Sequence, residues 1–212
     1  MTTVLLFHHA QGQTRGFLAF ADELREAGHT VHTPDLYDGK TFDDLNEGVA
    51  YAKEVGFGEI FRQGTAAAEG LPTDIVYAGF SLGAMPAQSL AHTRPGARGA
   101  ILFHAFVPTS EFGGPWPEGV PLQIHMMDSD AWAEDDRPVA EALVKEIEDA
   151  ELFLYPGSGH LFRRLEPGRL RRAGSRAAQG AHAGLPAPSR LTGRSISLPR
   201  CRPLMGALRR LS

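Results

Sequence analysis

The stretch Ile75-Val76-Tyr77-Ala78-Gly79-Phe80-Ser81-Leu82-Gly83-Ala84-Met85 decides the fold of this chain. Its first residues are rich in β-branched and aromatic side chains and predict a buried strand. Residues 79–83 match G-x-S-x-G, and a predicted helix follows them, with Pro86 tolerated in its first turn. In this strand–turn–helix context the motif lifts a serine hydroxyl out of a sheet. Ser81 is therefore the candidate nucleophile, against the alternative of a plain glycine-rich turn.

Apolar segments of strand and helix type alternate along the chain on either side of this motif. The predicted strands are 3–7, 29–33, 75–80, 100–104, 121–125 and 151–155, and the predicted helices are 14–27, two within 42–69, one after Gly83 and one opening at Asp135. This alternation predicts an α/β fold with a mostly parallel sheet and helices on both faces. In such sheets the chemistry lies at the carboxyl ends of the strands.

Composition favours a single globular domain in the cytoplasm. The chain has 212 residues, of which 42% are hydrophobic, enough for a sizeable core. No apolar run approaches the roughly 20 residues that a membrane span needs, so we expect no membrane association. The amino terminus lacks a basic region, so the first apolar run is a strand and not a signal peptide. The single cysteine, Cys201, allows no internal disulfide.

Charge divides the chain into two parts. Residues 1–162 carry 24 Asp and Glu against 9 Lys and Arg, whereas residues 163–212 carry 12 arginines and one acid, Glu166. The parts have net charges of −15 and +11, which sum to the −4 of the whole chain. We expect a folded domain over 1–162 and an atypical arginine-rich tail over 163–212.

A serine nucleophile needs a base, and the base needs an acid to orient it. His160 is the best candidate base, because it follows the last predicted strand and completes the order Ser…Asp…His. Asp128 and Asp130 both follow the strand at 121–125 and are the candidate acids. Other histidines have simpler interpretations: His104 and His125 fall within or at the end of strands, as hydrogen-bonded core residues do.

The loop after the first strand is the second part of the expected site. An oxyanion hole requires two backbone N–H groups, and we predict those of Leu82 and Ala10. His9, Gln11 and Tyr37 are expected to line the substrate pocket. No H-E-x-x-H or C-x-x-C motif occurs, and the adjacent His8 and His9 cannot share a helix face, so we predict no metal site.

Residues 3–162 resemble the dienelactone hydrolase family of α/β-hydrolases. The motifs that carry the resemblance are the first strand and its loop to Gly12, Pro34-Asp35-Leu36-Tyr37, the serine turn, His125-Met126-Met127-Asp128-Ser129-Asp130 and Tyr155-Pro156-Gly157-Ser158-Gly159-His160-Leu161-Phe162. In the family the acid usually lies five residues after a histidine like His125, which points to Asp130. The resemblance implies hydrolysis of small esters, lactones or thioesters by a cytosolic monomer without cofactor or metal.

Two departures from the family pattern bear on the substrate. The best-known members have cysteine at the nucleophile position, where this chain has Ser81. They also place a glutamate in the loop after the first strand, where His9 stands here. Dienelactone itself is therefore a poor candidate substrate. The alternative to an enzyme is a catalytically idle protein that binds small molecules on the same scaffold.

The tail does not continue as similar proteins do, with a polar loop and a final amphipathic helix. It can be interpreted as a disordered basic tail or as an arginine-rich nucleic-acid arm, although the acidic body argues against a nucleic-acid partner. We favour a frameshift between Phe162 and Arg163. Codons exist for residues 163–186 that, read one base later, encode ADSSLAGYDEPARALLKERTLAFL, which has the expected loop and helix pattern. Without that helix we expect weak or absent activity.

Overall fold

The computed structural model describes residues 1–161, which form six strands and five helices joined by two short 3-10 segments. In chain order the elements are β1 Thr3–Phe7, α1 Arg15–Glu26, β2 Thr30–His32, α2 Leu45–Val55, α3 Phe57–Ala66, β3 Val76–Phe80, the 3-10 turn Ser81–Gly83, α4 Ala84–Thr93, β4 Gly99–Phe103, the 3-10 turn Thr109–Phe112, β5 Leu122–Met127, α5 Asp136–Leu143 and β6 Ala150–Tyr155. The predicted elements are all present, with boundaries that differ by a few residues.

The six strands form one sheet in the order β2-β1-β3-β4-β5-β6, and every neighbouring pair is parallel. The predicted α/β fold is confirmed, and the sheet is wholly parallel over the described residues. Because all strands run the same way, their carboxyl ends lie at one edge. Phe80 pairs with Phe103 and Phe103 with His125, so the residues after β3, β4 and β5 emerge side by side.

Helices cover both faces of the sheet, as the sequence predicts. One apolar cluster packs α1, through Phe17, Phe20 and Leu24, against side chains of β1, β2, β3 and β4. The other cluster lies on the opposite face and includes buried residues of α2, α3, α4 and α5. Within residues 1–161, the cluster under α1 contains no residue of β5 or β6.

Local sequence explains where the helices begin and end. The hydroxyl of Thr14 accepts a hydrogen bond from the Phe17 N–H at the start of α1. Asp44 caps α2 by accepting from the N–H groups of Asn46 and Glu47. Gly56, with a φ of 93°, separates α2 from α3 where the sequence predicts a break.

The predicted domain boundary at Phe162 and the tail at 163–212 lie outside the described residues. Over the part of the chain that is described, no helix has the length and hydrophobicity required to cross a bilayer.

Candidate active site

Ser81 occupies a sharp turn between β3 and α4. Its φ of 47° lies in the left-handed region, which is costly for a residue other than glycine and is typical of functional turns. A Cβ at Gly79 would overlap the carbonyl oxygen of Gly83. A Cβ at Gly83 would lie 2.5 Å from the carbonyl oxygen of His8. Both glycines are therefore required because the backbone of the turn and of the loop after β1 pass so closely.

A continuous chain of hydrogen bonds starts at the Ser81 hydroxyl. Ser81 Oγ lies 2.9 Å from Nε2 of His160, and Nδ1 of the same ring lies 2.7 Å from Oδ2 of Asp130. A carboxylate only accepts, so Nδ1 carries the imidazole proton and Nε2 is left to accept from the serine hydroxyl. The sequence-predicted residues from β3, β5 and β6 thus meet at one edge of the sheet.

Asp130 is buried and held from two sides. Its Oδ1 accepts a hydrogen bond from the Trp132 N–H at 3.0 Å, while Oδ2 faces His160. Burial raises the pKa of this carboxyl, but the contacts from His104 and His160 outweigh burial and hold the pKa below its usual value. Asp130 is therefore ionised at neutral pH.

Asp128, the alternative acid, points elsewhere. Its Oδ1 accepts from the Gly157 N–H and from the Ser129 hydroxyl, both at 3.0 Å. Hydrogen bonds to these groups lower the pKa of the exposed Asp128 carboxyl. Asp128 thus connects the residues that follow β5 to the loop after β6 that carries His160. This connection keeps Asp130 and His160 close together.

His104 also belongs to this cluster, which the sequence did not reveal. Its Nδ1 lies 3.5 Å from Asp130 Oδ2, and both side chains are fully buried. Its ring lies edge-on to His160, with centroids 5.4 Å apart. The sequence assigned His104 to the core; its position directly after β4, at the carboxyl edge of the sheet, was the signal that could have identified it.

The sequence model of the dienelactone hydrolase family matches residues 1–183, past the last described residue. The chain belongs to the dienelactone hydrolase family. No curated protein matches the chain in sequence.

Solved structures share the fold at low sequence identity. Dienelactone hydrolase from Anabaena variabilis aligns with a TM-score of 0.58 and 17% identity, over 84% of this chain and 84% of its own. Esterase PE8 aligns with a TM-score of 0.58 and 21% identity, over 84% of this chain and 92% of its own. A dienelactone hydrolase-like promiscuous phosphotriesterase from metagenomic libraries aligns with a TM-score of 0.56 and 16% identity, over 76% and 72%.

In this member of the dienelactone hydrolase family, the loop after β1 is fixed by its own histidines. Nδ1 of His8 donates to the His9 carbonyl at 2.8 Å, and Nε2 accepts from the Leu36 N–H at 3.0 Å. Nδ1 of His9 accepts from the Gln11 N–H at 3.2 Å. Burial lowers the pKa of His8, and burial with the nearby histidines lowers that of His9 to about 3. Both rings are therefore neutral.

The two residues predicted to supply the oxyanion donors lie after neighbouring strands. Ala10 and Leu82 follow β1 and β3, which are neighbours in the sheet. Gln11 Nε2 is occupied, because it donates to the carbonyls of Phe42 and Asp43 at 3.1 and 2.8 Å.

Tyr37, expected in the substrate pocket, is buried in the core. It is 1% exposed, and its ring packs edge-on against His8 and Tyr51 with centroids 5.0 Å away in each case. Its hydroxyl lies 3.5 Å from the Gly48 carbonyl oxygen. Through its contact with His8, Tyr37 supports the loop after β1.

Trp132 lies beside the ring of His160, the candidate catalytic base. The indole ring lies 5.8 Å from the His160 ring and is 51% exposed. Met85, four residues after Ser81, is also 37% exposed. Trp132 therefore places an exposed aromatic ring beside His160.

His104, Asp130 and His160 offer three potential ligand atoms within 4.8 Å of one another, a group that could hold a metal ion. The hydrogen bond between Asp130 Oδ2 and His160 Nδ1 already occupies this space. A cation bound there would replace that hydrogen bond.

Proposed function

We propose that this protein is a serine hydrolase that cleaves small carboxylic esters, lactones or thioesters through an acyl-enzyme. The observation that carries the proposal is the unbroken chain from Ser81 Oγ through His160 to Asp130, with distances of 2.9 and 2.7 Å. Membership of the dienelactone hydrolase family supports hydrolytic chemistry. The strained serine turn supports a nucleophile at this position, because strain of this kind is retained where it serves function.

In the first half-reaction, His160 Nε2 takes the proton of the Ser81 hydroxyl as the oxygen attacks the substrate carbonyl carbon. Asp130 accepts a hydrogen bond from the Nδ1–H of His160. It thereby holds the ring in the required tautomer and stabilises the imidazolium that forms. The imidazolium then gives its proton to the leaving oxygen or sulfur, and the carbon–heteroatom bond breaks. The acyl group remains on Ser81.

The oxyanion is stabilised by the N–H groups of Leu82 and Ala10. One donor follows the nucleophile and the other comes from the loop after β1, the arrangement found with a nucleophile elbow. His9 supports the second donor, since its neutral ring accepts from the Gln11 N–H and so fixes the loop. A preorganised donor pair of this kind lowers the barrier because it needs no rearrangement during the reaction.

In the second half-reaction water replaces the leaving group. His160 removes a proton from the water, which attacks the acyl carbon, and Ser81 departs with that proton. The original Ser81 proton leaves with the alcohol or thiol, and a proton from water replaces it, so Ser81, His160 and Asp130 end in their starting protonation states. The cycle uses neither a redox partner nor an organic cofactor. The partner is a small-molecule ester or lactone, and the enzyme acts as a cytoplasmic monomer.

The test is hydrolysis of p-nitrophenyl acetate together with labelling by a fluorophosphonate probe. We expect the wild-type chain to be labelled at Ser81 and to turn over the ester, and Ser81→Ala to do neither. Ser89→Ala is a matched control, because Ser89 lies on α4 away from the turn. Labelling or turnover that survives in Ser81→Ala would disprove the assignment of the nucleophile. A folded wild-type chain that is neither labelled nor active would favour a catalytically idle binding protein.

A further inference from the structure

Four neighbouring strands each end near a polar side chain of one cluster. β3, β4, β5 and β6 are adjacent in the sheet, and Ser81, His104, Asp130 and His160 follow them in that order. Three of these side chains have roles in the proposed mechanism. The fourth, His104, lies with its Nδ1 3.5 Å from the carboxylate oxygen that His160 also contacts.

The backbone at His104 is strained in the same way as at Ser81. Its φ is 61°, and only three other non-glycine residues of the described chain have positive φ: Asp38, Ser81 and Leu161. Ser81 belongs to the hydrogen-bonded chain of the candidate site, and Leu161 follows His160 directly in the sequence. Glycine would adopt this conformation without strain. A non-glycine side chain retained at a strained position next to Asp130 indicates a function for that side chain.

Contact with Asp130 determines the protonation of His104. An unprotonated Nδ1 would place its lone pair against the carboxylate oxygen, which is repulsive, whereas a protonated Nδ1 places a donor there. Burial lowers the pKa of His104, and the ring is therefore neutral with its proton on Nδ1. Asp130 Oδ2 then faces two imidazole N–H groups.

We infer that His104 is a positioning residue whose Nδ1–H stabilises the charge of Asp130 and holds Oδ2 in place for His160. The inference rests on the proposed function, in which Asp130 orients the base. The contact is long for a hydrogen bond, and catalytic contacts in free enzymes commonly tighten only when substrate is bound. His104 thus acts on the reaction through Asp130 and not by touching substrate.

A shift in the pH profile is expected from this role. While His104 donates to Asp130, part of the carboxylate charge is neutralised. Without that donor the full charge acts on His160, the imidazolium becomes more stable, and the acidic limb of kcat/KM moves to higher pH. Three other titratable groups face this cluster, namely His9, Asp136 and His125, and burial is the main cause of the pKa shift of each. His104 also contributes to the lowered pKa of His9 and of His125, so its replacement acts on these two groups as well.

Three substitutions of His104 separate its donor from its backbone conformation. His104→Asn keeps an N–H donor at the position of Nδ1 and tolerates the left-handed region. His104→Gly relieves the strain but removes the donor, and His104→Leu removes the donor and keeps the bulk. We expect kcat/KM to fall about tenfold in the Gly and Leu variants, as for loss of one partner to a charged group, and to stay within about threefold of wild type in His104→Asn.

The readout that does not depend on activity is the His160 Nδ1 proton, observed by NMR in the full chain labelled with 15N-histidine. We expect its resonance to move in His104→Gly and His104→Leu and to stay near the wild-type position in His104→Asn. If His104→Leu does not fold, the Gly and Asn variants make the same comparison.

If His104→Gly leaves both the His160 resonance and the acidic limb of kcat/KM unchanged, the inference is overturned. It is also overturned if a folded His104→Asn variant lacks the wild-type resonance and pH profile. A moved resonance in a chain that hydrolyses no ester would instead support the contact and contradict the proposed function.

Discussion

The two halves of the site are built differently. The Ser81 half stands on β1 and β3 at the centre of the sheet, where all five residues of β3 are buried and glycine backbones are packed against their neighbours. The His160 half stands on β5 and on β6, where buried and half-buried residues alternate. The loop after β6 is exposed over residues 156–158 and half-buried from Gly159 to Leu161.

The difference shows what each half depends on. Packing of the central strands fixes the position of Ser81, and almost any added atom in the turn disturbs it. His160 is positioned by a few side-chain hydrogen bonds between the loops that follow β5 and β6. Among residues 1–161, the apolar cluster under α1 ends at β4 and includes no side chain of β5 or β6.

The largest effect should come from the acid of the His160 half. Asp130→Asn keeps the shape but presents an amide to His160, which favours the wrong tautomer, so we expect kcat to fall by about 10⁴. Asp128→Asn is the matched control two residues away and should cost only a few-fold, because Asp128 holds the Gly157 turn and not the imidazole. Steady-state hydrolysis of p-nitrophenyl acetate measures both; a larger loss in Asp128→Asn would reverse the assignment of the acid.

The second prediction concerns the chain beyond Leu161. Replacing residues 163–186 by ADSSLAGYDEPARALLKERTLAFL should supply an amphipathic helix to the His160 half. Each large apolar side chain that becomes buried contributes about 1.5–3 kcal/mol, so we expect the free energy of unfolding to rise by several kcal/mol and esterase activity to increase.

Urea denaturation of the two chains measures this change. A scrambled version of the same 24-residue replacement is the control for length and composition. Equal stability of all three chains would show that the His160 half does not need such a helix.

The third prediction tests the Ser81 half. Gly79→Ala would place a methyl group against the carbonyl oxygen of Gly83, a backbone atom that cannot move aside, and we expect a loss of about 3 kcal/mol or more of stability. Gly58→Ala, on α3 with no atom within 4 Å of the new Cβ, is the control and should be neutral or slightly stabilising. Thermal unfolding distinguishes the two, and a Gly79→Ala protein as stable as wild type would mean that the turn is more adaptable than its packing suggests.

The smallest effect is a pH dependence shared by both halves. Burial lowers the pKa of His125 to about 3, and burial with neighbouring histidines does the same for His9. In the unfolded chain these groups have pKa values near 6.5, so the unfolded state binds more protons between about pH 3 and 6.5. Stability is therefore fully present above pH 6.5 and is lost as the pH falls through this window.

His125→Phe should make this loss shallower, because it removes one buried group that resists protonation while keeping an aromatic ring between Phe103 and Phe153. His32→Gln, on the edge strand β2, is the control. Urea denaturation from pH 7 to 4 gives the slopes. Identical slopes in wild type and His125→Phe would show that His125 does not contribute to the acid sensitivity.

Periodicity and turn residues were enough to predict the order of strands and helices, since these signals are local. The G-x-S-x-G turn identified Ser81 for the same reason, because its glycines are demanded by contacts within a few residues of the chain. His160 and a nearby aspartate followed from their places after strands. The sequence alone left the choice between Asp128 and Asp130 to a family pattern, and it placed Tyr37 in the pocket although the fold buries it.

The tertiary structure alone decided which side chains meet across strands. Asp128 and Asp130 both follow β5, and the turn after this strand directs Asp130 to His160 and Asp128 to Gly157. His104 looked like any histidine of a buried strand until the parallel sheet brought it beside Asp130. Local pattern reports the conformation of a segment, whereas a catalytic contact joins residues that are about 30 to 80 positions apart and exists only once the sheet has formed.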